Sequence, residues 1–176
     1  LVNLNNSMKN DKPLFINYQT PPGAGKTTLV VSVASLGSKY DKKVIYVCYN
    51  EIVRNEVSKT CFHSGITFAI ISDCIIKPHN SCFTSKKNKG KIAEHEDRQM
   101  RLNYELVRIQ NKCDKMPLIY VCDLLSATLL LNTKDAENNY ITYIDEPTAG
   151  AETFNSEMTK NYIRIILNSP KICICL

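Results

Sequence analysis

Thr20-Pro21-Pro22-Gly23-Ala24-Gly25-Lys26-Thr27-Thr28 is the stretch that decides how this 176-residue chain is read. Just before it, Leu14-Phe15-Ile16-Asn17-Tyr18 is a short apolar and aromatic run. Just after it, Lys26 to Ser38 places Leu29, Val30, Val33 and Leu36 on one side of a helix. Strand, glycine-containing turn and helix, in that order, are the setting of a phosphate-binding loop. Small residues let backbone N–H groups turn inward around phosphate oxygens, and the helix N-terminus adds positive potential. Lys26 supplies a point charge for β and γ phosphates, and the Thr27 hydroxyl is placed to ligate Mg²⁺. The general pattern begins with Gly six residues before the lysine. Thr20 stands there instead, while Gly23 and Gly25 remain and Pro21-Pro22 stiffens the entry. The plainer alternative is an ordinary glycine-containing turn ahead of a helix.

Working outward, Val44 to Tyr49 is apolar at nearly every position and too short for a helix, as expected of a strand buried on both faces. Ile66 to Ile71 and Leu118 to Cys122 have the same character, and Tyr140 to Ile144 and Lys171 to Leu176 add two more strands. Helical stretches lie between them: Glu51 to Cys61, Asp123 to Asn132 with Asp123 placed to cap, and Ala151 to Asn168. Alternating strands and helices predict an α/β fold, a parallel sheet with helices on both faces. One region breaks the alternation, a basic insertion at about 77–115 holding Lys86, Lys87, Lys89 and Lys91, then a charged helix from about Ile92 to Lys112.

A phosphate-binding loop needs an acidic residue at the tip of a neighbouring strand. Tyr140-Ile141-Thr142-Tyr143-Ile144 runs directly into Asp145-Glu146-Pro147-Thr148. Asp145 is expected to position Mg²⁺, and Glu146 to orient and deprotonate an attacking water. Together these residues predict ATP as ligand, with Pro22, Gly23, Ala24, Gly25, Lys26, Thr27 and Thr28 forming its cradle. Thr27 and Asp145 are the magnesium residues, and Lys26 and Glu146 the catalytic ones.

Composition sets bounds. Lysine and arginine total 22 against 17 acidic residues, a net charge of +5 that permits an anionic partner without demanding one. The length suits one domain, so 1–176 is read as a single unit. No apolar run approaches the roughly 20 residues of a membrane helix. The polar opening, Leu1 to Pro13, lacks the apolar core of a signal peptide, which predicts an intracellular chain excised from something longer. The eight cysteines are scattered through apolar runs and read as reduced, mostly buried thiols.

At the two motifs the chain resembles the first RecA-like domain of superfamily 2 helicases. Thr20 to Thr27 corresponds to their motif I, and Asp145-Glu146-Pro147-Thr148 to their DEAD-type motif II. The resemblance implies a RecA-like P-loop NTPase that couples ATP hydrolysis to translocation on, or unwinding of, RNA or DNA. It also implies a second RecA-like domain in the same parent chain, without which turnover is weak. In that family the strand after motif I leads into a segment that grips the nucleic acid backbone, and here Tyr49-Asn50-Glu51 with Arg54 occupies that place. In overall character the chain is similar to helicase-like proteins of large DNA viruses. Ser126-Ala127-Thr128 spells the family's motif III but precedes the acidic strand rather than following it, so it is set aside as a helix start.

Two other readings stay open. Asp145 to Gly150 and Pro22 to Lys26 also resemble the Walker segments of ABC-type ATPases, whose Leu-Ser-Gly-Gly-Gln signature falls shortly before the acidic strand. Cys122 to Leu131 contains no glycine there. A nucleotide-dependent scaffold module without turnover is the third, with intact Lys26 and Glu146 against it. Separately, Cys61, His63, Cys74, His79 and Cys82 lie within a short span that would suffice for zinc, although the spacings miss the paired Cys-x-x-Cys signature.

Overall fold

The computed structural model describes residues 1–19, 21, 23–72, 91–112, 115–133, 136–146, 157–169 and 171–175. Thr20, Pro22, 147–150, Cys74, His79, Cys82 and residues 77–90 of the basic insertion lie outside the described residues.

In chain order the elements are α1 (Val2–Lys9), β1 (Leu14–Asn17), α2 (Lys26–Gly37), β2 (Lys43–Val47), α3 (Glu51–His63), β3 (Phe68–Ile71) and α4 (Lys91–Lys112). They continue with β4 (Ile119–Cys122), α5 (Leu124–Leu131), α6 (Ala136–Asn139), β5 (Tyr140–Ile144), α7 (Glu157–Leu167) and β6 (Ile172–Cys175). All six strands run parallel in the order β1-β6-β5-β2-β4-β3. This is the α/β architecture that the alternation predicts, a parallel sheet with helices on both faces.

The continuous apolar runs are explained by layers above and below. On one face Val44, Tyr46, Val121, Tyr143 and Ile174 pack against Val30, Val33 and Ala34 of α2, Val57 and Cys61 of α3, and Leu4 and Met8 of α1. On the other face Ile45, Val47, Tyr120, Ile144 and Cys173 meet Leu102 of α4, Leu129 and Leu130 of α5, and Tyr162 and Ile165 of α7. Alternate residues of one strand therefore go to opposite layers, and each fully buried Leu or Ile contributes about 1.5–3 kcal/mol. Among the described residues no helix is long and apolar enough to cross a membrane.

Two elements were not expected from the sequence. The polar opening stretch, to which no element is assigned above, holds α1, because Leu4 and Met8 stand one helical turn apart and reach the core together while Asn3 and Asn6 face outward. Tyr40 also ties the helix down by donating to Asn5 Oδ1 at 2.8 Å. The four-residue α6 is too short to leave a periodic signal. Cys48, Cys61, Cys122, Cys173 and Cys175 are free and buried, as the apolar context implied, and Cys173 and Cys175 share a face of β6 with sulfurs 4.0 Å apart. Burial pushes the Cys48 thiol up to about 12 and the Cys61 thiol up to about 11. Both are therefore protonated near neutral pH.

Candidate functional site at the carboxyl edge of the sheet

Because every strand is parallel, the loops after β1, β2, β4 and β5 all emerge at one edge, where open α/β sheets place their ligand sites. β6 lies between β1 and β5. The turn after β1 and the acidic tip of β5 are thus one strand apart and face each other across its end.

The turn is built for open backbone N–H groups. Gly23 and Gly25 have φ of +79° and +80°, a left-handed conformation that costs a residue with a Cβ about 1–2 kcal/mol. A Cβ placed on either would meet nothing within 4 Å, so the space around the turn is open. Gly25 is also the N-cap of α2, and among the described residues no side chain caps that helix. The first N–H groups of a helix have no intrahelical acceptor, so the start of α2 presents uncompensated donors and the positive end of its dipole. A cavity of about 440 Å³ opens beside it, lined by Tyr18, Ala24, Gly25, Lys26, Thr28, Leu29 and Ser32. An anionic phosphate fits this cradle.

Lys26 and Glu146 meet across the gap, with Nζ and Oε1 3.7 Å apart. The lysine side chain is 21% exposed and the glutamate 65%, so solvent screens the pair and its own stabilising effect is small. Glu146 holds a left-handed backbone, φ +48°, which is rare for a residue with a Cβ and is typical of functional turns. Its predecessor is anchored. Asp145 N–H donates to Val47 O at 2.9 Å, and Tyr46 Oη donates to Asp145 Oδ2 at 2.6 Å. The other carboxylate oxygen, Oδ1, is buried and has no hydrogen-bond partner among the described residues. A buried acceptor left unpaired carries a desolvation penalty that a cation or its bound water would relieve. The Asp145 carboxylate therefore fits a hard cation such as Mg²⁺.

The sequence matches no protein-family model and none of the curated proteins compared with it. Among solved structures, the crystal structure of the DUF1998 helicase MrfA aligns with 99% of this chain and 25% of that chain, at 12% identity and a TM-score of 0.43. The chain thus spans a quarter of that protein's length.

The segment singled out for nucleic acid lies at the same edge, one strand beyond β5. Both of its named side chains have local work. Asn50 Oδ1 accepts from Ile52 N–H at 2.8 Å and so caps α3. Arg54 Nη1 donates to Cys48 O at 3.2 Å and to Tyr49 O at 3.1 Å, which closes the turn between β2 and α3. Ser126, set aside above, donates its N–H to Asp123 Oδ1 at 2.8 Å in the cap of α5. Of the zinc candidates, Cys61 is in the core and His63 ends α3, while Cys74, His79 and Cys82 lie outside the described residues. No cluster of three metal-ligating side chains occurs among the described residues.

Sequence reasoning passed over two residues of this site, Tyr46 and Tyr143. Both read as strand core, and both are fully buried. The available signal was positional: Tyr143 lies two residues before Asp145 and so leaves the strand on the same side.

Proposed function

We propose that this chain is the ATP·Mg²⁺-binding unit of a nucleic-acid-dependent ATPase of helicase type. The observation that carries the reading is the meeting of an uncapped, lysine-bearing helix start with Asp145 and Glu146 across β6. Lys26 and the backbone N–H groups of Gly25 to Thr28 bind the phosphates, and Thr27 with Asp145 holds the metal. When bound, ATP·Mg²⁺ supplies an activated phosphoanhydride whose developing negative charge the cation neutralises. Glu146, exposed and one residue beyond Asp145, accepts a proton from the water that attacks the γ phosphorus. Cleavage leaves ADP and inorganic phosphate. A second RecA-like domain contributes the remaining transition-state charge.

The test compares Lys26→Ala with Glu146→Gln, using a fluorescent ATP analogue for binding and phosphate release by the parent protein for turnover. Lys26→Ala lowers affinity on the order of a hundredfold, the loss of a charge-assisted contact to phosphate. Glu146→Gln keeps binding and loses turnover by about 10²–10⁴-fold. Equal affinity in Lys26→Ala and wild type sinks the site. For the nucleic-acid part, Asn50→Ala/Arg54→Ala weakens salt-sensitive binding of a labelled single strand, read by anisotropy. Asp123→Ala, which also removes a helix cap, serves as the stability-matched control and leaves that binding unchanged. No single-strand binding by the wild-type parent, with a non-hydrolysable ATP analogue present, rules out the helicase reading.

A further inference from the structure

Tyr46 on β2 and Tyr143 on β5 are register partners in adjacent strands. Their rings stack with centroids 5.4 Å apart and planes inclined by 23°, and neither side chain is exposed. A buried phenol needs an acceptor, and each hydroxyl has found one at the candidate site rather than in the core. Tyr46 Oη donates to Asp145 Oδ2 at 2.6 Å, and Tyr143 Oη donates to the Lys26 carbonyl at 2.7 Å. One ring pair thus reaches both halves of the site: the carboxylate placed for the metal, and the main chain of the residue that opens α2.

We propose that Tyr46 and Tyr143 are positioning residues that act as a brace, Tyr46 orienting Asp145 toward the magnesium ion and Tyr143 fixing the phosphate-binding turn through Lys26. The inference rests on the ATP·Mg²⁺ reading above. Its physical basis is the division of the Asp145 carboxylate: Oδ2 is spent on the tyrosine, which leaves the buried Oδ1 without a hydrogen-bond partner among the described residues. A hydrogen bond of this kind fixes the rotation of a carboxylate that otherwise turns freely about its last torsion. On the other side, Lys26 is the first residue of α2, so a donor on its carbonyl holds the point where turn becomes helix. Stacking couples the two, because a ring that shifts carries its neighbour in a closely packed layer.

The two hydroxyls have separable consequences. Tyr46→Phe and Tyr143→Phe each remove one oxygen and keep the stacked ring. Affinity of the 176-residue chain for a fluorescent ADP analogue is measured with Mg²⁺ and again in EDTA. Tyr46→Phe lowers the Mg²⁺-supported affinity about tenfold and leaves the EDTA value unchanged. Tyr143→Phe lowers both values alike, by about fivefold. Electron paramagnetic resonance of Mn²⁺ added to the ADP-bound chain shows the same split without any turnover, with weaker Mn²⁺ retention in Tyr46→Phe only.

Should far-UV circular dichroism show Tyr46→Phe unfolded, 3-fluorotyrosine placed at position 46 alone gives the second test. Its single fluorine resonance shifts when Mg²⁺ is added to the ADP-bound protein. Wild-type binding that depends on Mg²⁺, paired with an identical dependence in Tyr46→Phe or an unmoved fluorine resonance, overturns the brace while leaving the ATP·Mg²⁺ reading in place. Wild-type chain that binds no nucleotide under either condition overturns both.

Discussion

Three helices whose starts are among the described residues open at the carboxyl edge of the sheet, and they do not start alike. α3 begins under Asn50, whose side chain takes the Ile52 N–H, and α5 begins under Asp123, which takes the Ser126 N–H. α2 begins under Gly25, in a left-handed conformation and with no side chain to offer. The chain evidently has the means to close a helix start at this edge and uses it twice. The exception falls where Lys26 lies 3.7 Å from a carboxylate and a 440 Å³ cavity opens alongside. Sealed ends serve stability. The open end leaves its first N–H groups without an intrahelical acceptor, and the α2 start is the one to which the proposed ligand reading applies.

The contrast breaks most severely if the open end is sealed. Gly25→Asp puts a carboxylate where phosphate is expected and a Cβ on a backbone with φ of +80°. Nucleotide affinity should fall on the order of a hundredfold through the lost donors and added repulsion. Isothermal titration of the two proteins decides it, and an unchanged affinity means that the open end is not the binding end.

A smaller effect sharpens the other side of the comparison. Asn50→Ala and Asp123→Ala each remove a cap and should each cost about 1 kcal/mol of stability in urea denaturation. Neither should move nucleotide affinity. A cap variant that weakens nucleotide binding as strongly as it weakens the fold would erase the distinction between sealed and open ends.

The same fold also responds to alkaline pH. Burial, and then the neighbouring Asp145 charge, raise the Tyr46 and Tyr143 phenols above their ordinary value of 10.0, and burial pushes Tyr162 up to about 12. A group raised on folding stabilises fully below its unfolded value and loses that contribution as pH climbs toward its folded value. The urea midpoint should therefore fall between about pH 8 and about pH 10.5, with the buried thiols, ordinarily 9.0, contributing earlier in the same direction. A flat midpoint contradicts the buried, hydrogen-bonded state of these phenols.

Legibility in the sequence followed the strength of local patterns. The turn at Gly23 to Lys26 and the tip at Asp145-Glu146 have composition that little else explains, so both could be named before their meeting was seen. Tyr140 to Ile144 was placed to the residue, because a β-branched and aromatic run ended by charge is unambiguous. α3 runs two residues past Cys61 to His63, because the exposed Phe62 lies off the apolar face and so does not extend its periodic pattern. α1 escapes because two buried apolar residues among asparagines are too few to raise a periodic signal. Tyr46 and Tyr143 escaped for another reason: their role depends on β2 lying beside β5, a pairing of strands far apart in sequence that no local pattern encodes. The local duties of Asn50 and Arg54 are likewise contacts of a folded turn, invisible in the letters Asn-Glu-Ile-Val-Arg.

The order of the sheet also sets a timetable. β1 has β6 as its partner, so Leu14 pairs with Ile172, and the turn carrying Lys26 reaches the acidic tip of β5 only by way of a strand that comes later in the chain than either. Contacts so distant in sequence are costly to close and form late. During synthesis the halves of the site therefore wait, one of them for well over a hundred residues, until β6 slides between them. Nothing that binds across the gap can help to guide that folding at an earlier stage. A chain arrested before β6 would hold both motifs intact and have no site.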